Sequence, residues 1–494
     1  MSKKDILRRS RFNEDPDEAV HDFISSIEQD RKILDADIWV DRAHVLMLNR
    51  QGIVSKADAT AILGELDSIS SLDWPDLLDG KYDDVHVLIE SRIIKNLGEE
   101  VGGRLHTARS RNDEVVACVR IALREDLLDI IEGLLDLNRT MLELAGKHVE
   151  TIMPGYTHLQ RAQTTTLAHH LLAHCESIKR DVDRLRSCFD RVNVNPLGAG
   201  ALSSTSHPVD PALTADLLAL DGIAGNSMDA VASRDFLLEA IGDLSISGVG
   251  LSRMAEELVL WSTSEFGFIV LSDAYSFTSS IIPQKRNPDV AELSRGRISS
   301  VVGDLVSSLS ICKGLPLSYH TDLQEATLHL WRATSTMRAV IQVLRGAIST
   351  VKVNETAMAE AAGNGFLWAT DLADILVAEH GVPFRKAHSI VAELAKNLQD
   401  YGNPEEVSRE LHEASLKLGT PLESDPETIS RAMDARKSVE RRIACGGPSP
   451  RVSRRSIRNS RRAADRALDW VRGKRENIDS AKSRVRAMQD DLAR

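Results

Sequence analysis

The chain has 494 residues and a formal net charge of −12; that length supports several hydrophobic cores, and the acidic balance argues against a general nucleic-acid binder. Five widely spaced cysteines with no CxxC pair exclude a closed disulfide framework and point to free thiols in a reducing compartment. No apolar run approaches the ~18–20 residues that cross a bilayer, and MSKKDILRRSRF at the start has charge but no apolar stretch after it, so the expected location is cytoplasmic.

Aromatic residues make up only 4% of the chain, which tilts the expectation towards helices. Residues 1–106 read as short helices broken by turns. One runs from Ala36 to Arg50 and ends at Gly52. A second runs from Lys56 to Ile69 with Ser55 as its N-cap. After a loop from Trp74 to Asp84, a third runs from His86 to Leu97 and stops at Gly98. Residues 107–356 change character. Val116, Val119, Leu123, Leu127, Ile130, Leu134 and Met141 keep a helical period over some thirty residues. Similar patterns run from Leu159 to Val192, Phe236 to Ser262, Pro288 to Lys313 and Leu323 to Val351. Such helices are about twice the mean length of ~11–12 residues, which suggests a bundle that also buries a face against partner subunits. Four irregular segments separate them: Gly102 to Asp113, Met153 to His158, Asn193 to Pro211, and Phe266 to Pro288. Residues 357–448 form a smaller helical unit. Residues 449–494 are rich in arginine and then mixed in charge. With no aromatics interleaved to stack bases, this stretch reads as a solvated or disordered tail, helical at most from about Ala463. The expected fold is mainly α: an N-terminal helical domain, a central long-helix bundle, a small C-terminal domain and the tail.

The segment most dense in chemistry is Thr278-Ser279-Ser280-Ile281-Ile282-Pro283-Gln284-Lys285-Arg286-Asn287-Pro288. Asn287 then Pro288 reads as a helix start, with Asp289 complementing the helix dipole. Hydroxyls and cations just ahead of a helix N-terminus suit an anion, although a plain capped helix after a polar loop would look the same. The segment resembles the G-S-S-x-M-P-x-K-x-N-P signature of the fumarase/aspartase superfamily, with Thr278 in place of the glycine and Ile282 in place of the methionine. Further blocks narrow the resemblance to the argininosuccinate lyase family. They are Thr107-Ala108-Arg109-Ser110-Arg111-Asn112-Asp113, Gly155-Tyr156-Thr157-His158-Leu159-Gln160-Arg161-Ala162-Gln163, Asp84-Val85-His86 with Glu90, and, near the C-terminus, Ala369 to Asp374 and Gly381 to Arg385. Together they cover about residues 5–448.

The resemblance implies a reaction: proton abstraction next to a carboxylate, then expulsion of arginine to leave fumarate. That chemistry needs a base, stabilisation of the aci-carboxylate dianion and an acid for the leaving nitrogen. By resemblance, Ser279 is the base, needing cations and backbone N–H groups to ionise, and Lys285 and Asn287 hold the carboxylate. His158 is the acid, paired with Glu292, and the pair would raise its pKa. Arg111, Asn112 and Thr157 grip the fumarate-forming part. Ser26 and Asp30 contact the amino-acid end, Tyr319 and Gln324 lie on the arginine-derived side, and His86 joins the binding set. The chain departs from the family at Thr327, where a substrate-binding lysine is usual, and at His320, where asparagine is usual. Arg109, Arg111, Lys285 and Arg286 are expected to concentrate positive field around an anionic substrate. The resemblance further implies a homotetramer whose active sites are shared between subunits, with no cofactor, nucleic acid or membrane partner.

Two other readings are weighed: a different fumarate-releasing lyase, such as adenylosuccinate lyase or aspartase, and a non-catalytic protein on this scaffold, as in the δ-crystallins. His170 and His174, spaced i, i+4, match helical metal pairs, but no third ligand is evident in the sequence. No metal is expected there, and helix packing is the preferred reading.

Overall fold

The computed structural model describes residues 17–397 and 400–494; the charged opening segment lies outside them. Helices α1 (Leu34–Arg50), α2 (Lys56–Ser70) and α3 (Val85–Leu97) form the N-terminal layer. The Ser55 hydroxyl caps α2 by accepting from the Asp58 N–H at 3.1 Å. Gly98 ends α3 at φ +78°, a conformation that costs glycine no Cβ strain.

Helix α4 (Arg111–Lys147) starts with a capping box. The Ser110 hydroxyl accepts from the Asn112 N–H, and the Asp113 carboxylate accepts from the Ser110 N–H at 3.0 Å. Its 37 residues span ~55 Å, so its two ends face different parts of the molecule. Strands β1 (Ile152–Thr157) and β2 (Gln160–Thr166) follow as an antiparallel hairpin, and α5 (Leu167–Val192) begins only after it. This corrects two expectations, the irregular segment from Met153 and the helix from Leu159. The β-branched run Thr164-Thr165-Thr166 favours strand, Thr166 caps α5 by accepting from the His169 N–H, and His158 and Leu159 turn the hairpin with φ of +54° and +57°. Two left-handed residues in a two-residue loop match the twist of the flanking strands.

The bundle continues with α6 (Asp235–Ser262). A minimal hairpin, β3 (Phe277–Thr278) with β4 (Arg286–Asn287), precedes α7 (Asp289–Cys312), and α8 (Asp322–Ser349) follows. Asn287 is therefore paired in a strand instead of capping α7, whose N-cap position is Pro288. Helix α4 packs on α5 and α8, α7 packs on α6 and α8, and one hydrophobic core runs unbroken from α1 through α8. Four helices further on, α9 (Ala369–His380), α10 (Phe384–Asn397), α11 (Pro404–Lys417) and α12 (Pro426–Met433), close a ring around a separate core that includes Leu372, Ile390, Leu411 and Ile429.

The arginine-rich C-terminus is the clearest difference from expectation. Residues Pro450–Ala493 form one helix, α13, which packs along α4 and α5. Ile457, Ala467, Val471, Ile478, Ala481 and Val485 are buried in the main core. Their spacing is a narrow apolar stripe, and the arginines occupy the rest of the helix surface. Arg475 pairs with Asp129 at 2.7 Å and Lys474 with Asp221 at 2.7 Å. Among the described residues no helix is long and apolar enough to cross a membrane.

Candidate active site

The N-terminus of α4 is held by its own acid. Beyond closing the capping box, Asp113 accepts from the Gly200 N–H at 2.8 Å and the Gly198 N–H at 3.2 Å, which docks the 193–211 loop beside Arg111 and Asn112. Asn112 completes the dock by donating to the Ala201 carbonyl at 3.0 Å. Gly200 sits at φ +59°, where an added Cβ would meet the Ser204 carbonyl oxygen at 2.9 Å, so this close approach requires glycine.

Beneath the loop lies a buried charge network. The Arg109 guanidinium bridges Asp41 at 2.6 Å and Glu114 at 2.8 Å, with both its own side chain and the partners' 2% exposed. His86 Nδ1 lies 2.8 Å from Asp37, and Glu114 is 3.7 Å away. Burial alone would lower the His86 pKa, but the charges of Asp37 and Glu114 outweigh it and lift it to about 10. His86 is therefore an imidazolium at neutral pH. Its Nδ1 faces Asp37, while its buried Nε2 has no hydrogen-bond partner among the described residues. Burial raises Asp41 to about 7 and Glu114 to about 8, against the pull of Arg109.

His86 borders a cavity of 320 Å³ between α3, the start of α4 and the start of α8. Seven residues expected from the sequence meet on its wall: Ser26, Asp30, His86, Arg111, Asn112, Tyr319 and Gln324. The Ser26 hydroxyl donates to Asp30 at 2.7 Å, and the Val85 N–H reaches the same carboxylate at 3.3 Å. Burial nevertheless keeps the Asp30 pKa above its ordinary value. Arg111 is ion-paired with Asp84, itself on the wall. Thr327 lines the same cavity, with its hydroxyl turned back to the Leu323 carbonyl at 3.3 Å.

The sequence reading missed Arg234 and Trp331, which also line the cavity. Arg234 is 6% exposed, and its Nη1 donates to the Ser233 carbonyl at 2.8 Å. Burial lowers its pKa to about 10, which still leaves it cationic at neutral pH. Its sequence context carried no sign beyond a lone arginine before α6.

The other expected residues are not on this wall. Thr157 and His158 sit exposed at the tip of the β1–β2 hairpin. Ser279 and Lys285 belong to the loop between β3 and β4, where Ile281 is 84% exposed. Asn287 lies at the foot of that loop, and Glu292 faces outward from the first turn of α7. No hydrogen bond or ion pair joins His158 to Glu292 among the described residues. Ser279 does have the backbone surroundings its expected role requires, because its Oγ accepts from the Ile282 N–H at 3.1 Å and the Ile281 N–H at 3.3 Å. The expected field from four cations needs correction. Arg109 is buried against two carboxylates, and Arg286 pairs with Asp273 at 2.7 Å while donating to the Leu271 carbonyl. Lys285 alone of the four has an exposed side chain with no ion pair among the described residues.

A family model described as "Lyase" matches residues 10–303, and one described as "Argininosuccinate lyase C-terminal" matches residues 366–440. The argininosuccinate lyase of Methanosarcina acetivorans is 47% identical over 96% of this chain and 96% of its own length. That of Methanocaldococcus jannaschii is 44% identical over 97% of this chain and 98% of its own. Among solved structures, an EDDS lyase in complex with formate superposes with a TM-score of 0.86 at 29% identity, covering 94% of this chain and 92% of that one. A class II fumarase from Schistosoma mansoni shares the fold, with a TM-score of 0.70 at 14% identity over 82% of this chain and 90% of that one. With a family model over residues 10–303, a second over the C-terminal unit and relatives 44–47% identical along nearly the whole chain, the chain belongs to the argininosuccinate lyase family of the fumarase/aspartase superfamily.

Proposed function

We propose that the working site is assembled between copies of the chain in a cytoplasmic homotetramer, the cavity of one copy being completed by the His158 hairpin and the Ser279 loop of others. The reaction is that of the family: argininosuccinate is cleaved to arginine and fumarate by carbon–nitrogen elimination, a step of arginine biosynthesis. The observation that carries the assembly is the division within one chain. Seven binding residues line the cavity, while the expected base and acid are displayed on exposed loops away from its wall. Exposed apolar side chains support it. Leu293, Val302, Val306 and Leu309 run along α7, and Ile246 and Val249 lie on α6, a stripe that a monomer would leave in water.

In the assembled site Ser279 Oγ takes the proton from the carbon next to the carboxylate. Its two backbone donors and the Lys285 ammonium stabilise the alkoxide that this requires. The electron pair moves onto that carboxylate, and Lys285 and Asn287 hold the resulting dianion. Collapse to the double bond of fumarate breaks the C–N bond, and the departing guanidine nitrogen takes its proton from His158, with Glu292 as its partner in the assembled site. Arg111, Asn112 and Thr157 orient the succinyl part. The imidazolium of His86 lends positive charge to the cavity wall, and Ser26 and Asp30 take the amino-acid end. Arg234 supplies positive charge near Thr327, where the family places a lysine, and Tyr319 and Gln324 flank it.

The test mixes two inactive variants, His158→Ala and Ser279→Ala, after unfolding and refolding together. Shared sites return activity in up to about a quarter of the sites of the mixed tetramer. Fumarate release is followed with argininosuccinate, adenylosuccinate and aspartate in parallel. No recovery in mixed tetramers overturns the shared site, and turnover of adenylosuccinate or aspartate alone overturns the substrate.

A further inference from the structure

The structure supplies the third group that the His170/His174 pair lacked. Both histidines lie on one face of α5, one turn apart, and α6 packs against that helix and carries Glu257. His170 Nε2 is 2.8 Å and His174 Nε2 is 2.6 Å from the same Glu257 oxygen, Oε2. Three donor atoms of the types that bind transition metals thus converge on one point from two helices. We propose that His170, His174 and Glu257 form a binding site for one divalent transition-metal ion of the zinc or cobalt class, clamping α5 to α6.

Two features favour an ion over a simple hydrogen-bonded triad. The side chains are 28%, 15% and 30% exposed, so an ion can enter yet is partly dehydrated when bound. A tetrahedral ion with bonds of ~2.0–2.1 Å spaces its ligand atoms ~3.3 Å apart, so the present separations need to open by only ~0.6 Å. The other acidic groupings serve other ends. Asp37, Asp41 and Glu114 are neutralised by Arg109 and His86, and the Cys188 thiol beside Glu239 and Asp243 is pushed up by burial and held protonated. None of the three proposed ligands lines the substrate cavity, so the ion would be structural and separate from the chemistry.

Cobalt(II) titration of untagged, chelator-treated protein tests the site. The expected result is visible absorption typical of low-coordinate cobalt, saturating at one ion per chain and bleached by zinc. Trp261, whose ring lies 4.8 Å from that of His170, should lose fluorescence in step. Glu257→Gln keeps the volume and hydrogen bonding and should weaken binding at least ~10-fold, and His170→Gln/His174→Gln should abolish the absorption. His388→Gln, a change at an exposed histidine on α10, should leave it intact. Circular dichroism shows whether each variant is folded, and the milder Glu257→Gln decides the matter if the double variant is not. Absorption typical of six-coordinate cobalt, or equal binding by wild type and Glu257→Gln, means an adventitious ion only and overturns the site.

Discussion

Asp37→Asn isolates the contribution of the buried network to both stability and binding. Asp37 is fully buried and lies 2.8 Å from His86 Nδ1, so asparagine keeps the shape and removes the charge. With Asp37 present the His86 pKa stands at about 10, against an ordinary 6.5. A shift of that size corresponds to ~5 kcal/mol of preference for the charged form. Because the folded pKa is raised, this stability is fully present below pH 6.5 and is lost as pH rises through 10. Asp41 and Glu114, raised by burial to about 7 and about 8, act in the same direction at lower pH, losing stability as pH rises from their ordinary values. Glu114 shares the slope up to about pH 8, the range above it belongs mainly to His86, and the His86 proton alone gives ~1.4 kcal/mol per pH unit. Without the Asp37 charge, burial returns His86 towards neutrality. Asp37→Asn should cost ~3–5 kcal/mol at pH 7, as expected when one partner of a buried pair is removed. It should also flatten the stability profile between pH 7 and 9 by about that slope. Urea unfolding at fixed protein concentration across this range measures both effects. Fumarate release should show a raised KM with a smaller change in kcat if His86 has its proposed binding role, since Asp37 sustains the positive charge of His86 at the cavity wall. A profile parallel to wild type, or an unchanged KM, refutes the imidazolium.

Ser279→Ala should lower turnover by several orders of magnitude while leaving the fold and substrate binding intact, read by fumarate release and equilibrium dialysis; near-normal turnover moves the base elsewhere, most directly to His158. Arg234→Gln should raise the KM for argininosuccinate at least ~10-fold, and adding Thr327→Lys should restore much of it if the two positions serve the same carboxylate. Ile478→Ala should destabilise the protein by ~2–4 kcal/mol in thermal unfolding, since the side chain is 4% exposed in the main core. Truncation after Pro448 should yield insoluble or unfolded protein; a stable, active truncate contradicts the packing of α13.

Much of the architecture was legible because it depends on neighbours in the chain. Ser55 and Gly98 mark helix ends through contacts within a few residues, and the long bundle helices announce themselves by period. The β1–β2 hairpin was not legible, because its turn uses His158 and Leu159 at positive φ, where glycine or asparagine would have signalled it. Helix α13 was hidden by its arginines, whose charge outweighs the narrow apolar stripe until α4 and α5 are seen to cover it.

The candidate site divides along the same line. Resemblance to family motifs supplied the expected base, acid and most of the expected binding residues, since such motifs are written in consecutive positions. Only the tertiary structure decided which of them meet: seven on one cavity wall, the base and acid exposed elsewhere. It alone also showed Arg234 on that wall, Arg109 spent on Asp41 and Glu114, and Glu257 between two histidines more than eighty residues away. Electrostatic and metal-binding partners act across a few ångströms of space whatever their separation along the chain, so their pairing is set by how the helices pack.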